Sequence, residues 1–138
     1  SLFTLHRMAN DGTIDAALLR AVQAGGILRT LQNVKPRKDQ PYQTMQLAQF
    51  NYFLDKGLIT ADPTTARLTI DYTKYRDVVT ALLKDVLALQ YAGDKAAAEA
   101  FFNRWGAWTP DIHEKLAARI RDAQGARFRL VRYGALGE

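Results

Sequence analysis

Two histidines carry most of the catalytic chemistry available to this sequence, and they do not converge. His113-Glu114 opens like a zinc-binding helix. Such a helix needs a second His one turn later on the same face, so that both imidazoles reach one ion. Ala117 stands there, and His6 lies near the other end of the chain. A zinc site takes three or four ligands. We therefore expect no metal site in this chain and read His113 as a surface residue in the first turn of a helix. There are no cysteines, which excludes disulfides, thiolate metal sites and cysteine nucleophiles. Serine occurs only at position 1, so no Gly-x-Ser-x-Gly elbow exists. No glycine-rich phosphate loop is present: Gly25-Gly26 falls inside a helical pattern, and Gly134 and Gly137 lie near the C-terminus. Asp85, Glu99 and Glu114 sit on polar helix faces and read as solvating charges. Phe101, Phe102, Trp105 and Trp108 read as core.

The net charge is +5, from 19 basic and 14 acidic residues. A basic balance can attract anions, but the charges are scattered. Lys35-Pro36-Arg37-Lys38 is the one tight cluster and reads as a solvated loop. Arg127, Arg129 and Arg132 around Phe128 and Tyr133 have some of the texture of a single-strand nucleic-acid surface. Neither makes a dense basic face, so no nucleic-acid partner is expected. No apolar run approaches the roughly 20 residues that span a bilayer, so no membrane is expected. The N-terminus has no basic stretch followed by a long apolar one, and hence no signal peptide. Without an initiator Met, Ser1-Leu2 reads as a cloning remnant and the chain as cut from something longer. The cytoplasm is the expected compartment, with the periplasm as the alternative, because both tolerate cysteine-free proteins.

The elements that must position these residues are mostly helical. At 138 residues and 48% hydrophobic, the chain suits one domain spanning 1–138. Asp11-Gly12-Thr13 reads as a turn and N-cap. Ile14, Ala17, Leu18, Ala21, Val22, Gly25, Leu28 and Leu31 then recur at helical spacing. Each of Gly25 and Gly26 costs roughly 1 kcal/mol against Ala inside a helix. A close backbone approach, or a kink, is the expected reason for them. Pro41 suits a first helical position. From Tyr42 to Lys56, Met45, Ala48 and Tyr52 together with Leu47, Phe50, Phe53 and Leu54 cover more than one face, the pattern of a buried helix. Gly57 stops it. Leu58 to Ile70 reads as two short strands around the turn Asp62-Pro63-Thr64-Thr65, or as an extended arm. Tyr75, Val78, Val79, Leu82, Leu83, Val86 and Leu89 form the clearest stripe. Gly93 ends that helix, and Asp94 caps a next one carrying Ala97, Ala98, Phe101, Phe102 and Trp105 and ending at Gly106. Thr109-Pro110 starts a last helix with Ile112, Leu116 and Ile120 as its stripe. The tail from Arg127 reads as extended. The fold class is mainly α, a five- to six-helix bundle with one small β hairpin.

Several stretches, taken in order, resemble the C-terminal end of bacterial members of the dipeptidyl peptidase III family of zinc metallopeptidases. Leu19-Arg20-Ala21-Val22-Gln23-Ala24-Gly25 looks like the helix after the family's second zinc motif. Gln49-Phe50-Asn51-Tyr52-Phe53-Leu54-Asp55-Lys56-Gly57 is similar to a helix end of its bacterial members. Leu68-Thr69-Ile70-Asp71-Tyr72, Leu89-Gln90-Tyr91-Ala92-Gly93-Asp94, Phe102-Asn103-Arg104-Trp105-Gly106 and Pro110-Asp111-Ile112-His113-Glu114 follow in the family's order. The resemblance covers nearly the whole chain, and none of these stretches is a catalytic signature. It implies a parent enzyme holding zinc through a His-Glu-x-x-Gly-His helix and a Glu on a second helix, neither of which occurs here. It also implies a transition-state-supporting His near the start of the helix corresponding to Tyr42–Lys56. Tyr42 occupies that position, which is a departure: a phenol donates one hydrogen bond but is no cation at neutral pH. A helix-start aromatic packed on a neighbour is the structural alternative for Tyr42.

The resemblance thus implies a fragment that forms scaffold and one wall of a peptide cleft, with the remainder of the parent chain as its partner and peptide as the parent's substrate. Two other classes stay open: a winged-helix-like nucleic-acid module, from the high pI and the order helix, helix, hairpin, and a protein–protein scaffold. A cut-out should also leave an interface bare. The Gly25-Gly26 face and the start of the next helix at Tyr42, Met45 and Gln46 are the expected places, shielded in the isolated chain by homodimerisation.

Overall fold

Local capping chemistry sets most of the element boundaries. In the computed structural model, which describes residues 2–31 and 41–124, the order is α1 (Leu2–Asn10), α2 (Ala16–Arg29), α3 (Pro41–Asp55), β1 (Ile59–Asp62), β2 (Arg67–Ile70), a 3-10 turn (Tyr72–Lys74), α4 (Tyr75–Ala92), α5 (Lys95–Trp105) and α6 (Pro110–Gln124). Mainly α, with six helices and one antiparallel hairpin among the described residues, is the expected fold class. The Lys35–Lys38 cluster and the tail from Arg127 lie outside the described residues.

The caps follow residue chemistry. Gly93 ends α4 in the left-handed region at φ 62°, its N–H donating to the Leu89 carbonyl, and the Asp94 carboxylate then accepts from the Ala97 N–H to open α5. Pro41 and Pro110 stand first in α3 and α6, where a missing N–H goes unnoticed. One boundary differs from expectation. Asp11-Gly12-Thr13 only turns the chain after α1; the N-cap of α2 is Asp15, whose side chain accepts from the Leu18 N–H at 2.7 Å. Gly12, at φ 71°, closes helix α1, which the sequence reading did not include.

Helix α3 is central. Its Leu47, Ala48, Phe50, Tyr52 and Phe53 are buried, and all but Leu47 join one core cluster with Ile27 and Leu31 from the α2 end, Leu58 and Ile59 at the start of the hairpin, Tyr75 and Val78 from α4, Trp105 from α5 and Leu116 from α6. The hairpin pairs Ile59 with Ile70 and Asp62 with Arg67. A lone two-stranded hairpin is marginal in water, and this one is tied down. The Asp71 N–H donates to the Leu58 carbonyl at 2.8 Å. From α6, Lys115 and Arg119 donate to the turn carbonyls of Pro63 and Thr65.

Two helical stripes face other ways than a core reading gives them. On α2 the buried residues are Gln23 and Ile27, whereas Leu18, Val22 and Leu28 are exposed by 50%, 40% and 39%. The helix is apolar nearly all round, so its pattern marks no inner side. Helix α2 runs unbroken through Gly25 and Gly26. The expected close backbone approach is absent among the described residues. A Cβ at Gly25 would meet nothing within 4 Å, and one at Gly26 only the Tyr75 hydroxyl at 3.7 Å. On α4 only Tyr75 and Val78 are buried. Leu83 and Leu87, with Tyr91 at 97%, are exposed along its outer side.

Candidate functional site

Tyr42 sits in the first turn of α3, directly after Pro41. It is 75% exposed, with Met45 exposed one turn further on, so it is not buried against a neighbour as the structural alternative supposes. The backbone N–H groups at a helix N-terminus carry partial positive charge. An exposed phenol beside that end can offer its O–H to a developing negative charge. From the second turn onward α3 turns its aromatic side chains into the core, which fixes the helix and leaves Tyr42 at its rim.

The structure also builds a polar centre that the sequence reading missed. The Asn51 amide donates to the carbonyls of Trp105 at 2.6 Å and Ala107 at 2.8 Å. Its oxygen lies 2.6 Å from His113 Nε2. Because that oxygen can only accept, Nε2 carries the proton in the neutral ring, and Nδ1 accepts from the Thr109 N–H at 2.8 Å. The imidazole stacks on Trp108 at 4.9 Å and meets Phe50 edge-on at 5.7 Å. His113 is 2% exposed, which corrects its reading as a surface residue. Its contacts are those of a staple joining α3 to the start of α6. Ala117, at the would-be second ligand position, is fully buried one turn below. Among the described residues no group of three or more His, Cys, Asp or Glu could hold a metal ion.

Burial holds the His113 pKa below its ordinary 6.5, against an opposing contribution from the Thr109 backbone. A His whose folded pKa is depressed refuses a proton that the unfolded chain accepts. Stability is then full above about pH 6.5 and falls as the pH drops below it, until the folded pKa is reached. We expect the unfolding midpoint to fall between pH 7.5 and pH 5, and to fall less in His113→Gln. Equal slopes in the two proteins would contradict this placement of the ring.

The carboxylates expected to be solvating charges divide. Glu99 pairs with Lys95 at 3.7 Å and Glu114 with Arg121 at 3.9 Å, both on the surface. Asp85 instead accepts from the Tyr52 hydroxyl at 2.8 Å. Burial, and then this carboxylate, push the Tyr52 phenol up to about 12, so it remains a donor at any ordinary pH.

No protein-family model matches the sequence, and no curated protein does. A solved structure does. The chain is similar to part of DPP III from Caldithrix abyssi. The TM-score is 0.70 at 23% identity, over 88% of this chain and 23% of that one. Identity this low shows a shared fold. The chain spans less than a quarter of the length of that protein.

Proposed function

We propose that this chain is the C-terminal helical portion of a zinc-dependent peptidase of the dipeptidyl peptidase III kind, forming scaffold and one wall of the peptide cleft. The observation that carries the reading is the shared fold with DPP III from Caldithrix abyssi over 88% of this chain. The sequence resemblance supports it, because the matching stretches follow in the family's order. Zinc belongs to the remainder of the parent in this reading. The described residues offer no ligand set for it, so no step here runs through the metal. Tyr42 is the residue we assign to the reaction. Its exposed O–H at the α3 N-terminus would donate one hydrogen bond to an oxyanion developing on the scissile carbonyl.

The outer face of α2 supports the same reading. Leu18, Val22 and Leu28 stand exposed around Gly25, where an added Cβ would meet nothing within 4 Å among the described residues. Isolated domains rarely leave such a face bare. In the parent, the remaining chain would cover it; in the isolated chain, a second copy would. The isolated chain is expected to show dimer by size exclusion with light scattering at high concentration, and Leu28→Glu to remain monomeric. A strict monomer in both cases would remove this support. The same preparation should neither hold zinc stoichiometrically nor release dipeptides. Submicromolar zinc binding by the isolated chain would refute the fragment reading.

A further inference from the structure

A cleft of about 560 Å³ opens between the end of α3, the second half of α4 and the face of α5 that looks back at it. That is the size of a small-molecule site. Its apolar lining is Ala88, Leu89 and Ala92 from α4 with Ala100 and Phe101 from α5, and the three alanines leave room. Tyr52, Lys56, Asp85 and Arg104 line the same space with polar groups. Asp85 is already engaged by the Tyr52 hydroxyl at 2.8 Å. Lys56 pairs with Asp55 at 3.4 Å on the surface and lies over the Tyr52 ring at 5.5 Å. The Arg104 guanidinium lies over the Trp105 ring at 4.4 Å and has no carboxylate within ion-pair distance among the described residues. A guanidinium held over a ring face still has its N–H donors to offer, and a carboxylate can accept two of them at once.

We propose that this cleft binds a small amphipathic carboxylate, an aromatic or branched aliphatic acid, with its apolar body over Leu89 and Phe101 and its carboxylate on Arg104 and Lys56. The argument is one of complementarity. The apolar lining rewards burying a ring or alkyl group, and Arg104 brings a cation that has no carboxylate partner among the described residues. A free acid and the C-terminal end of an apolar peptide share this chemistry. The proposal does not depend on the peptidase reading.

The test is a titration of the ¹⁵N-labelled chain followed by NMR, with 3-phenylpropionate, 3-phenylpropionamide and an acetylated tripeptide ending in Phe as probes. Saturable shifts are expected at the Ala88, Ala92 and Ala100 amides and the Trp105 indole, with the amide probe bound roughly fivefold more weakly than the acid, as an exposed charge pair allows. Arg104→Gln should weaken the acid by a similar factor and leave the amide unchanged, which a merely structural arginine would not do. Ala92→Trp, which fills the cleft, should abolish the shifts. Shifts with the free acid alone, or with the tripeptide as well, both support the site and tell its two sources apart. Absence of shifts with both acids, equal binding of acid and amide, or shifts that survive Ala92→Trp would overturn the proposal.

Discussion

Asn51→Leu is expected to destabilise the fold by about 3 kcal/mol, lowering the thermal midpoint by roughly 10 °C. Leucine has the same branching as asparagine, with two methyl groups in place of the oxygen and the amide nitrogen, so little packing is lost. The polar loss is large. Three partners contributed by two separate segments lose their hydrogen bond at once: the Trp105 carbonyl at the end of α5, the Ala107 carbonyl in the loop after it, and Nε2 of the buried His113. A buried group left without its partner costs about 1–3 kcal/mol, and the part-exposed carbonyls recover some of that from water. The effect should be strongly non-additive with His113→Leu, because both substitutions break one network. Urea unfolding of the two single variants and the double variant measures this. A shift below about 0.5 kcal/mol for Asn51→Leu, or simple additivity, would show that the centre does not hold α3 to the α5–α6 corner.

Tyr42→Phe in the full parent enzyme is expected to lower kcat about a hundredfold while leaving KM nearly unchanged. The magnitude is that of deleting one oxyanion donor. The pattern follows because a bond made only in the transition state drops kcat and kcat/KM together. Phenylalanine keeps the ring, and a side chain exposed by 75% carries little packing, so the fold should not change. Tyr42→His, which restores the residue type that the family resemblance implies at this position, should recover activity where phenylalanine does not. Steady-state kinetics of the three proteins at one pH decide it. Equal kcat for the native and Tyr42→Phe enzymes would remove Tyr42 from the reaction.

How much could be read beforehand follows the range of each interaction. Boundaries set by one or two neighbouring residues were legible: the Gly93 C-cap with the Asp94 N-cap, Pro110 after Thr109, the Asp62–Thr65 turn, and Gly57, which adopts φ 66°. The burial of α3 was legible too, because its apolar residues cover several faces. What was not legible depends on distant partners. Nothing local marks His113 as buried, since its acceptor is Asn51, 62 residues away. The inner side of α2 could not be chosen, because the helix is apolar on both sides and only the packing of Ile27 against α3 selects one. Nor did the spacing of the α4 stripe show that its second half would be only partly covered. As for the candidate site, Tyr42 came from a resemblance in order and not from composition or periodicity; the structure adds its exposure and its place in the first turn of α3.

The central claim is that these helices belong to a larger zinc peptidase, and zinc content with N-terminal dipeptide release tests it most directly. The full translation product containing this sequence would be purified, its zinc measured by mass spectrometry of the metal, and its action on an oligopeptide followed by the mass of the released fragments. One zinc per chain, successive release of dipeptides, and loss of both on chelation are predicted. A full-length product that carries no zinc and leaves the peptide intact would contradict the account.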